Sequence, residues 1–250
     1  TDPALTYSIT SGALVAGDSF AGALARATGE NAGTYAITQG TLTVGANYDL
    51  TFVGANFSIT GKPITVTATS GLSKIYGTTT DPALTYSITS GTLVAGDALT
   101  GALTRATGEN VGPYAINQGS LTVATPSTSV LNYAITYVGA SLSITAKPIA
   151  VTALAASKNY GVADPASFGY SFSPALVSGD TFTGALTRDP GENIGTYAIN
   201  QGSLTVATPS TTIVNYAISY TSALFTIKQA PQVINFGPLA AVTVGVAPFA

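Results

Sequence analysis

The strongest constraint on the fold of this chain is a tandem repetition within its own sequence. Residues 2–44 and residues 81–123 are identical at 34 of 43 positions, and no gap is needed to align them. A third copy begins at Asp164 and carries the same short motifs in the same order. Repetition of this kind indicates several small domains of one type rather than one large domain.

The motifs of each copy also suggest where the domains begin and end. Every copy contains, in order, Gly-Asp, Gly-Ala-Leu-x-Arg, Gly-Glu-Asn, Tyr-Ala-Ile, Leu-Thr-Val and Asn-Tyr, and consecutive copies are 79 to 85 residues apart. Lys-Pro at 62–63 and 147–148 marks the junctions. We predict a first repeat at 1–62, a second at 63–147, a third at 148–230 and the opening strand of a further repeat at 231–250. The first repeat lacks its own opening strand, because Thr1 corresponds to Thr80.

Composition and local patterns favour strands. Threonine, serine, valine and tyrosine suit solvated strand faces, and residues 64–68 alternate apolar with polar side chains, as a strand with one buried face does. Only residues 93–103 and their counterparts combine alanine and leucine with an N-cap-like aspartate, which favours a helical turn there. The predicted fold class is all-β, with tandem small β-sandwich or β-grasp-like domains arranged end to end as a rod.

The scarcity of charge and of reactive side chains limits the possible functions. Charged residues make up 8% of the chain, the net charge is -3, and histidine, cysteine, methionine and tryptophan are absent. We therefore expect no nucleic-acid partner and, since no run of about 18 apolar residues occurs, no direct membrane insertion. Without imidazole or thiol groups the usual nucleophiles, general bases and zinc ligands are missing, so we predict that the protein is not an enzyme.

Several motifs resemble a known family of repeats. They are Lys74-Ile75-Tyr76-Gly77, Asp81-Pro82-Ala83-Leu84-Thr85-Tyr86, the Gly-Asp pair, the arginine followed by Gly-Glu-Asn, and Tyr114-Ala115-Ile116. In this order they resemble MBG repeats of the Tyr-Gly type, which recur in giant surface proteins and filamentous-haemagglutinin-like adhesins of bacteria. Near the end of the chain Ala230 and Val244 depart from the pattern. The resemblance implies a secreted, repetitive β spacer without catalytic residues.

The charged residues recur at equivalent positions, which allows two interpretations. Calcium would take carboxylate oxygens, and the candidates are Asp18, Glu30, Asp97, Glu109, Asp180 and Glu192. The alternative is structural: the aspartates organise turns and the arginines, Arg26, Arg105 and Arg188, pair with carboxylates across hairpins. We favour the structural interpretation, because no Asp-x-Asp-x-Asp spacing occurs. No other cofactor is predicted.

Two further hypotheses concern tyrosine and lysine side chains. Repeated tyrosines, among them Tyr35, Tyr114 and Tyr197, are either core residues with hydrogen-bonded hydroxyls, which we favour, or a stacking face for a carbohydrate. A Lys–Asn isopeptide bond is the second hypothesis, with Lys74 or Lys158 near Asn110 or Asn193.

Three functions remain open from the sequence. The leading one is a structural stalk or spacer of an extracellular bacterial adhesin or fibre. The second is a self-assembling filament subunit in which residues 231–250 add a strand to the first repeat of the next molecule. The third is a module that binds a host glycan or protein. All three place the protein at the cell surface, and the expected partners are neighbouring repeats or copies of the chain itself.

Overall fold

The computed structural model describes residues 1–126, 132–209, 211–239, 241 and 243–245, and in these residues the chain forms strands and no helix. The first repeat contains β1 (Ala25–Arg26), β2 (Gly33–Thr38) and β3 (Ala55–Ile59). The second contains β4 (Lys62–Ala68), β5 (Ser73–Ile75), β6 (Tyr86–Ser90), β7 (Ala98–Thr100), β8 (Thr104–Arg105), β9 (Gly112–Asn117), β10 (Thr122–Ala124), β11 (Tyr133–Val138) and β12 (Ala140–Thr145). The third contains β13 (Lys147–Ala153), β14 (Ala156–Asn159), β15 (Tyr170–Ser173), β16 (Thr181–Thr183), β17 (Thr187–Arg188), β18 (Gly195–Asn200), β19 (Thr205–Ala207), β20 (Tyr216–Thr221) and β21 (Ala223–Lys228). The predicted all-β class is confirmed.

The second and third repeats have the same sheet topology. In the third, β13 lies between β15 and β20 in one sheet, a second sheet has the order β14-β21-β18-β17, and β16 pairs with β19. In the second, the corresponding orders are β11-β4-β6, β5-β12-β9-β8 and β10-β7. The opening strand of each repeat is parallel to a strand near its end, β4 to β11 and β13 to β20, and antiparallel to β6 or β15.

The core of the third repeat lies between its two larger sheets. Side chains of β13 alternate, so that Ile149 and Val151 are buried while Ala150 and Thr152 are exposed. The facing sheet contributes residues of β18 and β21. One apolar cluster contains Val151, Ala153, Leu186, Ile199, Leu204, Phe225 and Ile227. Since both sheets supply this core and the described residues include no helix to cover either sheet, the arrangement is that of a sandwich.

Residues 93–103 do not form the helical turn that their composition favours. Ala98–Thr100 is strand β7, and it pairs antiparallel with β10. Only the short turn at 95–96 precedes it, and the N–H of Asp97 donates to the carbonyl of Val94. The expectation of a helix was wrong because cross-strand pairing outweighs the modest local preference of alanine and leucine.

The first repeat shows what the opening strand contributes. Residues 2–12 have the same sequence as residues 81–91, yet the second copy forms β6 against β4, while the first copy forms no strand. Tyr7 and Ile9 are about half exposed there. An identical segment therefore becomes a strand only where a central strand supplies hydrogen-bond partners.

Residues 231–239 form no strand in the structure. Val233, Ile234, Phe236 and Leu239 are each at least 79% exposed. In the other repeats the opening strand is held by β6 and β11 or by β15 and β20, which follow it in sequence. The interpretation of 231–250 as an opening strand stays a prediction, and residues 240, 242 and 246–250 lie outside the described residues.

Contacts between Cα atoms divide the chain into two compact units. The first comprises residues 1–74, 80–108 and 112–143, and the second comprises 75–79, 109–111 and 144–250. Two loops of the second repeat, at 75–79 and 109–111, therefore pack with the third repeat.

Candidate functional site

An arginine lies at the centre of a charged cluster in the third repeat. Arg188 donates from Nε and Nη2 to the two carboxylate oxygens of Asp164, at 2.6 and 3.2 Å, and it also pairs with Glu192. Its Nη1 donates to the carbonyls of Asp189 and Gly191. Arg188 stands on the short strand β17 and its side chain is only 8% exposed, so the guanidinium is held by planar, bidentate contacts rather than by water.

A lysine completes this cluster. The Nζ of Lys158, on β14, lies 2.7 Å from Oδ1 of Asp164 and also pairs with Glu192. The hydrogen bond from Arg188, reinforced by Lys158, lowers the pKa of Asp164 to about 2. The same two cations lower the pKa of Glu192, with Lys158 as the larger cause. Two cations and two carboxylates therefore neutralise each other in one network.

The other two repeats contain the arginine–aspartate pair of this cluster, and the second also contains the lysine. In the second, Arg105 donates to both carboxylate oxygens of Asp81 at 2.5 and 3.2 Å, and Lys74 lies 2.6 Å from that carboxylate. In the first, Arg26 pairs with Asp2 and with Glu30. Repetition of one geometry in every copy is typical of a structural network, because each copy needs it to fold.

The isopeptide hypothesis meets an unfavourable geometry. The lysines lie against Asp81 and Asp164, and Asn110 accepts a hydrogen bond from Asn215. Formation of a Lys–Asn bond needs a neutral lysine amine, which attacks the side-chain amide carbon of the asparagine with loss of ammonia, and a neighbouring carboxyl group that can carry the proton. The pairing with Asp164 instead raises the pKa of Lys158, and the paired cations keep the aspartate ionised.

Because the pKa values of two aspartates are lowered in the folded state, the stability of the fold depends on pH. The pKa of Asp81 falls to about 2, chiefly through the hydrogen bond from Arg105, and that of Asp164 falls to about 2 in the same way, from a reference of 3.8. A carboxylate with a lower pKa in the folded state stabilises the fold above the unfolded pKa, and this contribution is lost as the pH falls through the folded pKa. We expect thermal stability to be flat above about pH 5 and to fall between about pH 4 and 2, as measured by circular dichroism. An Asp164→Asn variant should start less stable and show a shallower fall, whereas equal slopes for variant and parent would contradict the assignment.

Each arginine also covers a tyrosine ring. The guanidinium carbons of Arg26, Arg105 and Arg188 lie 5.2, 5.3 and 5.3 Å from the ring centres of Tyr35, Tyr114 and Tyr197. The hydroxyls of Tyr35 and Tyr197 donate to the carbonyls of Asn31 and Asn193 at 2.8 Å. These rings are half-buried and one face of each is covered by a cation, which leaves little open surface for stacking a sugar.

A glycine is required beside this tyrosine. Gly191 has a φ of +141°, and a Cβ added to it would lie 2.3 Å from Cε1 of Tyr197. We expect Gly191→Ala to lower the free energy of unfolding of the third repeat by about 3 kcal/mol or more, through backbone strain and displacement of the ring. Gly179 is the matched control, since its φ is +93° but no atom lies within 4 Å of an added Cβ.

Gly179→Ala should therefore cost only the conformational strain, about 1 to 2 kcal/mol. Hydrogen exchange of the amides of β18 measures both effects. Equal losses for the two variants would show that the tyrosine contact is unimportant.

A second recurring contact joins the Gly-Asp and Asn-Tyr motifs. The hydroxyls of Tyr48, Tyr133 and Tyr216 donate to Asp18, Asp97 and Asp180, each at 2.6 Å. The same hydroxyls accept the backbone N–H of Val15, Val94 and Val177 at 2.7 to 2.8 Å. Burial, together with the neighbouring Asp180, raises the pKa of Tyr216 to about 12. This contact was not predicted, although the constant order of the two motifs in every copy was the available signal.

The calcium candidates fall into separate networks. Asp18, Asp97 and Asp180 accept from tyrosines, whereas Glu30 and Glu192 pair with arginines. Within the described residues no group of three or more acidic, histidine or cysteine side chains is placed to hold a metal ion. A calcium site at these residues stays a prediction.

A third contact links residues of consecutive repeats. Asn132 Nδ2 donates to Asn31 Oδ1 at 2.9 Å, and Asn132 Oδ1 accepts the N–H of Ala32 at 2.8 Å. Asn215 makes the same pair of bonds with Asn110 and Val111, both at 2.9 Å. The asparagine of one Asn-Tyr pair thus binds the Gly-Glu-Asn segment of the repeat before it.

The backbone of these asparagines is held by the opening strands. The carbonyl of Asn132 accepts the N–H of Lys62, and that of Asn215 accepts the N–H of Lys147. Asn215 is 1% exposed, so its side-chain amide needs the partners it has.

The described residues include no helix long and apolar enough to cross a membrane.

Comparisons with known proteins agree with this repeated architecture. The family model of the MBG domain (YGX type) matches residues 1–58, 64–143 and 149–226. No curated protein matches the chain, and no solved structure does. MBG domains are structural repeat domains, and the three matched segments cover most of the sequence. The chain therefore belongs to the MBG domain family of the YGX type.

Proposed function

We propose that these repeats are spacer modules of the stalk of an extracellular bacterial adhesin, and that they have no catalytic activity. The observation that carries the proposal is the even distribution of polar contacts. The arginine and tyrosine networks recur in equivalent form in all three repeats. A site for chemistry or for one specific ligand would distinguish one copy, whereas a spacer needs the same framework in each.

Contacts between consecutive repeats support the same function. The paired asparagine bonds restrict how one repeat moves against the next, because each bond joins a buried or half-buried amide to a loop of the preceding repeat. A spacer that holds an adhesive part away from the cell requires such restriction. Each added repeat then extends the array by a few tens of Å, given about 3.3 Å per strand residue.

The test changes the number of repeats. Deleting residues 63–147 joins Lys62 to Pro148 and so restores the Lys-Pro sequence, and duplicating the same residues adds one repeat in the same way. We expect the maximum dimension measured by small-angle X-ray scattering to fall and rise by equal increments. An unchanged dimension in both variants would exclude a spacer.

A second candidate function, head-to-tail assembly, is favoured by the condition of the first repeat. Its residues 2–12 form no strand where the identical residues 81–91 include β6, which pairs with an opening strand, and residues 231–239 are exposed and form no strand. Addition of this segment to the first repeat of another molecule would satisfy both surfaces.

Sedimentation of the whole chain beside a chain that ends at Ala230 tests this assembly. Oligomers that disappear on truncation would support strand donation. Monomers in both samples would exclude it and leave the spacer function unaffected.

A further inference from the structure

A loop of the second repeat shows how one repeat contacts the next. Tyr76 is 8% exposed, its hydroxyl donates to Asp180 at 3.1 Å, and its ring packs edge-on against Tyr216 with 5.5 Å between centres. The N–H of Tyr76 donates to the carbonyl of Thr145, which fixes the loop. Tyr76 therefore joins the tyrosine–aspartate contact of the third repeat.

The glycine after this tyrosine permits close approach. Gly77 has a φ of +83°, and an added Cβ would lie 2.4 Å from Cγ2 of Val177. Together with the bonds of Asn215 to Asn110 and Val111, the contact has two parts, one from the Tyr-Gly loop and one from the Gly-Glu-Asn loop. The partner residues are a valine, the Gly-Asp aspartate and the Asn-Tyr pair.

The third repeat presents the same two loops uncovered. Tyr160, the counterpart of Tyr76, is 51% exposed, and Val162 is 55% exposed. Asn193, the counterpart of Asn110, is exposed, and the next residue, Ile194, is 58% exposed. An open depression of about 530 Å³ lies at this loop, and it is lined by Lys158, Tyr160, Gly161, Val162, Ala163, Asp164 and Glu192.

We propose that Tyr160, Gly161, Val162, Asn193 and Ile194, here called the docking face, recognise a further repeat of the same type. The partner residues are the asparagine and tyrosine of its Asn-Tyr pair, the aspartate of its Gly-Asp pair and the valine three residues before that aspartate. The first repeat displays such a partner surface uncovered, with Val15 68% exposed and Asn47 exposed. The proposal concerns recognition between repeats and is independent of the stalk function.

The chemistry of the docking face matches that of the surface that the equivalent loops of the second repeat contact. The docking face offers an exposed amide, an aromatic ring with a hydroxyl, and a glycine beside two aliphatic side chains. The partner surface offers one amide, one carboxylate and one valine. The internal contacts at Asn215, Asp180 and Val177 use this combination with distances of 2.9 to 3.1 Å for the polar pairs. A partner repeat in the same chain would have a high effective concentration, so that even a weak contact would stay closed.

The experiment places a complete repeat after the third one. Residues 63–147 are placed after residue 230, so that the third repeat is followed by a whole repeat, and this chain is compared with residues 1–230. We expect exchange of the Ile194 amide, measured by nuclear magnetic resonance, to slow by about tenfold or more, because the asparagine of the added repeat accepts its hydrogen bond. Nitration of Tyr160 should slow in parallel.

A matched control changes one side chain of the added repeat. Alanine in place of the asparagine that corresponds to Asn132 removes the acceptor, and the protection of Ile194 should then disappear while the added repeat remains folded by circular dichroism. Gly161→Ala should have the same effect by blocking close approach. Unchanged exchange and nitration on adding the repeat, or protection that survives both substitutions, would overturn the proposal.

Discussion

Replacing Arg188 with alanine is expected to lower the free energy of unfolding of the third repeat by about 3 kcal/mol. The substitution leaves Asp164 and Glu192 with Lys158 as their remaining cation in this network and removes two bonds to backbone carbonyls. Breaking a buried ion pair from one side costs about 3 to 5 kcal/mol, and the lower end applies because Asp164 is 34% exposed. The measurement is native-state hydrogen exchange at β18 and β21, since a chain of several repeats has no single two-state transition.

Arg188→Lys is the matched control for charge. Lysine keeps the positive charge but cannot make the bidentate contact with Asp164 or cover the ring of Tyr197. More than half of the alanine effect should therefore remain. A lysine variant as stable as the parent would show that charge alone, and not the guanidinium geometry, stabilises the repeat.

Replacing Phe225 with alanine is expected to cost a further comparable amount, about 3 to 5 kcal/mol. Phe225 on β21 is completely buried, packs edge-on against Phe168 at 5.5 Å between ring centres, and lies under the guanidinium of Arg188. Alanine would leave a cavity between the two sheets, and rigid strand pairing on both sides limits collapse. Hydrogen exchange at β18 reports the loss.

The second repeat supplies the control for this substitution. Leu142 occupies the equivalent position, two residues before Ile144 as Phe225 is two residues before Ile227, and it is also completely buried. Phe225→Leu should therefore cost only about 1 to 1.5 kcal/mol. A leucine variant as unstable as the alanine variant would mean that the ring itself, through Phe168 and Arg188, is essential.

Much of the fold was predictable because the same sequence pattern occurs three times in the chain. The alternation at residues 64–68 predicts a strand with one buried face, and Lys62–Ala68 is that strand. The helical turn at 93–103 was wrong, since local composition cannot reveal that residues 98–100 pair with residues 122–124. Residues 2–12 and 81–91 show the limit of prediction from local sequence, because these identical segments have different conformations.

The contacts between repeats were beyond sequence analysis for a different reason. Asn132 forms a hydrogen bond with Asn31, which lies 101 residues earlier in the sequence, and Asn215 forms one with Asn110, 105 residues earlier. Both partners belong to recurring motifs, but neither motif indicates whether an asparagine binds the preceding repeat or the repeat to which it belongs. Such pairing depends on the turn geometry that brings the loops together, which only the folded chain defines.

The parallel pairing of the opening strand has a mechanical consequence. In the third repeat β13 begins at Lys147 and β21 ends at Lys228, while β13 pairs with β20 and β14 pairs with β21, both in parallel. A force that pulls these two ends apart slides the paired strands along each other, so the hydrogen bonds of both ladders bear the load together. Antiparallel hairpins pulled from their open ends would instead release one bond after another. The third repeat is thus built to resist stretching by shear.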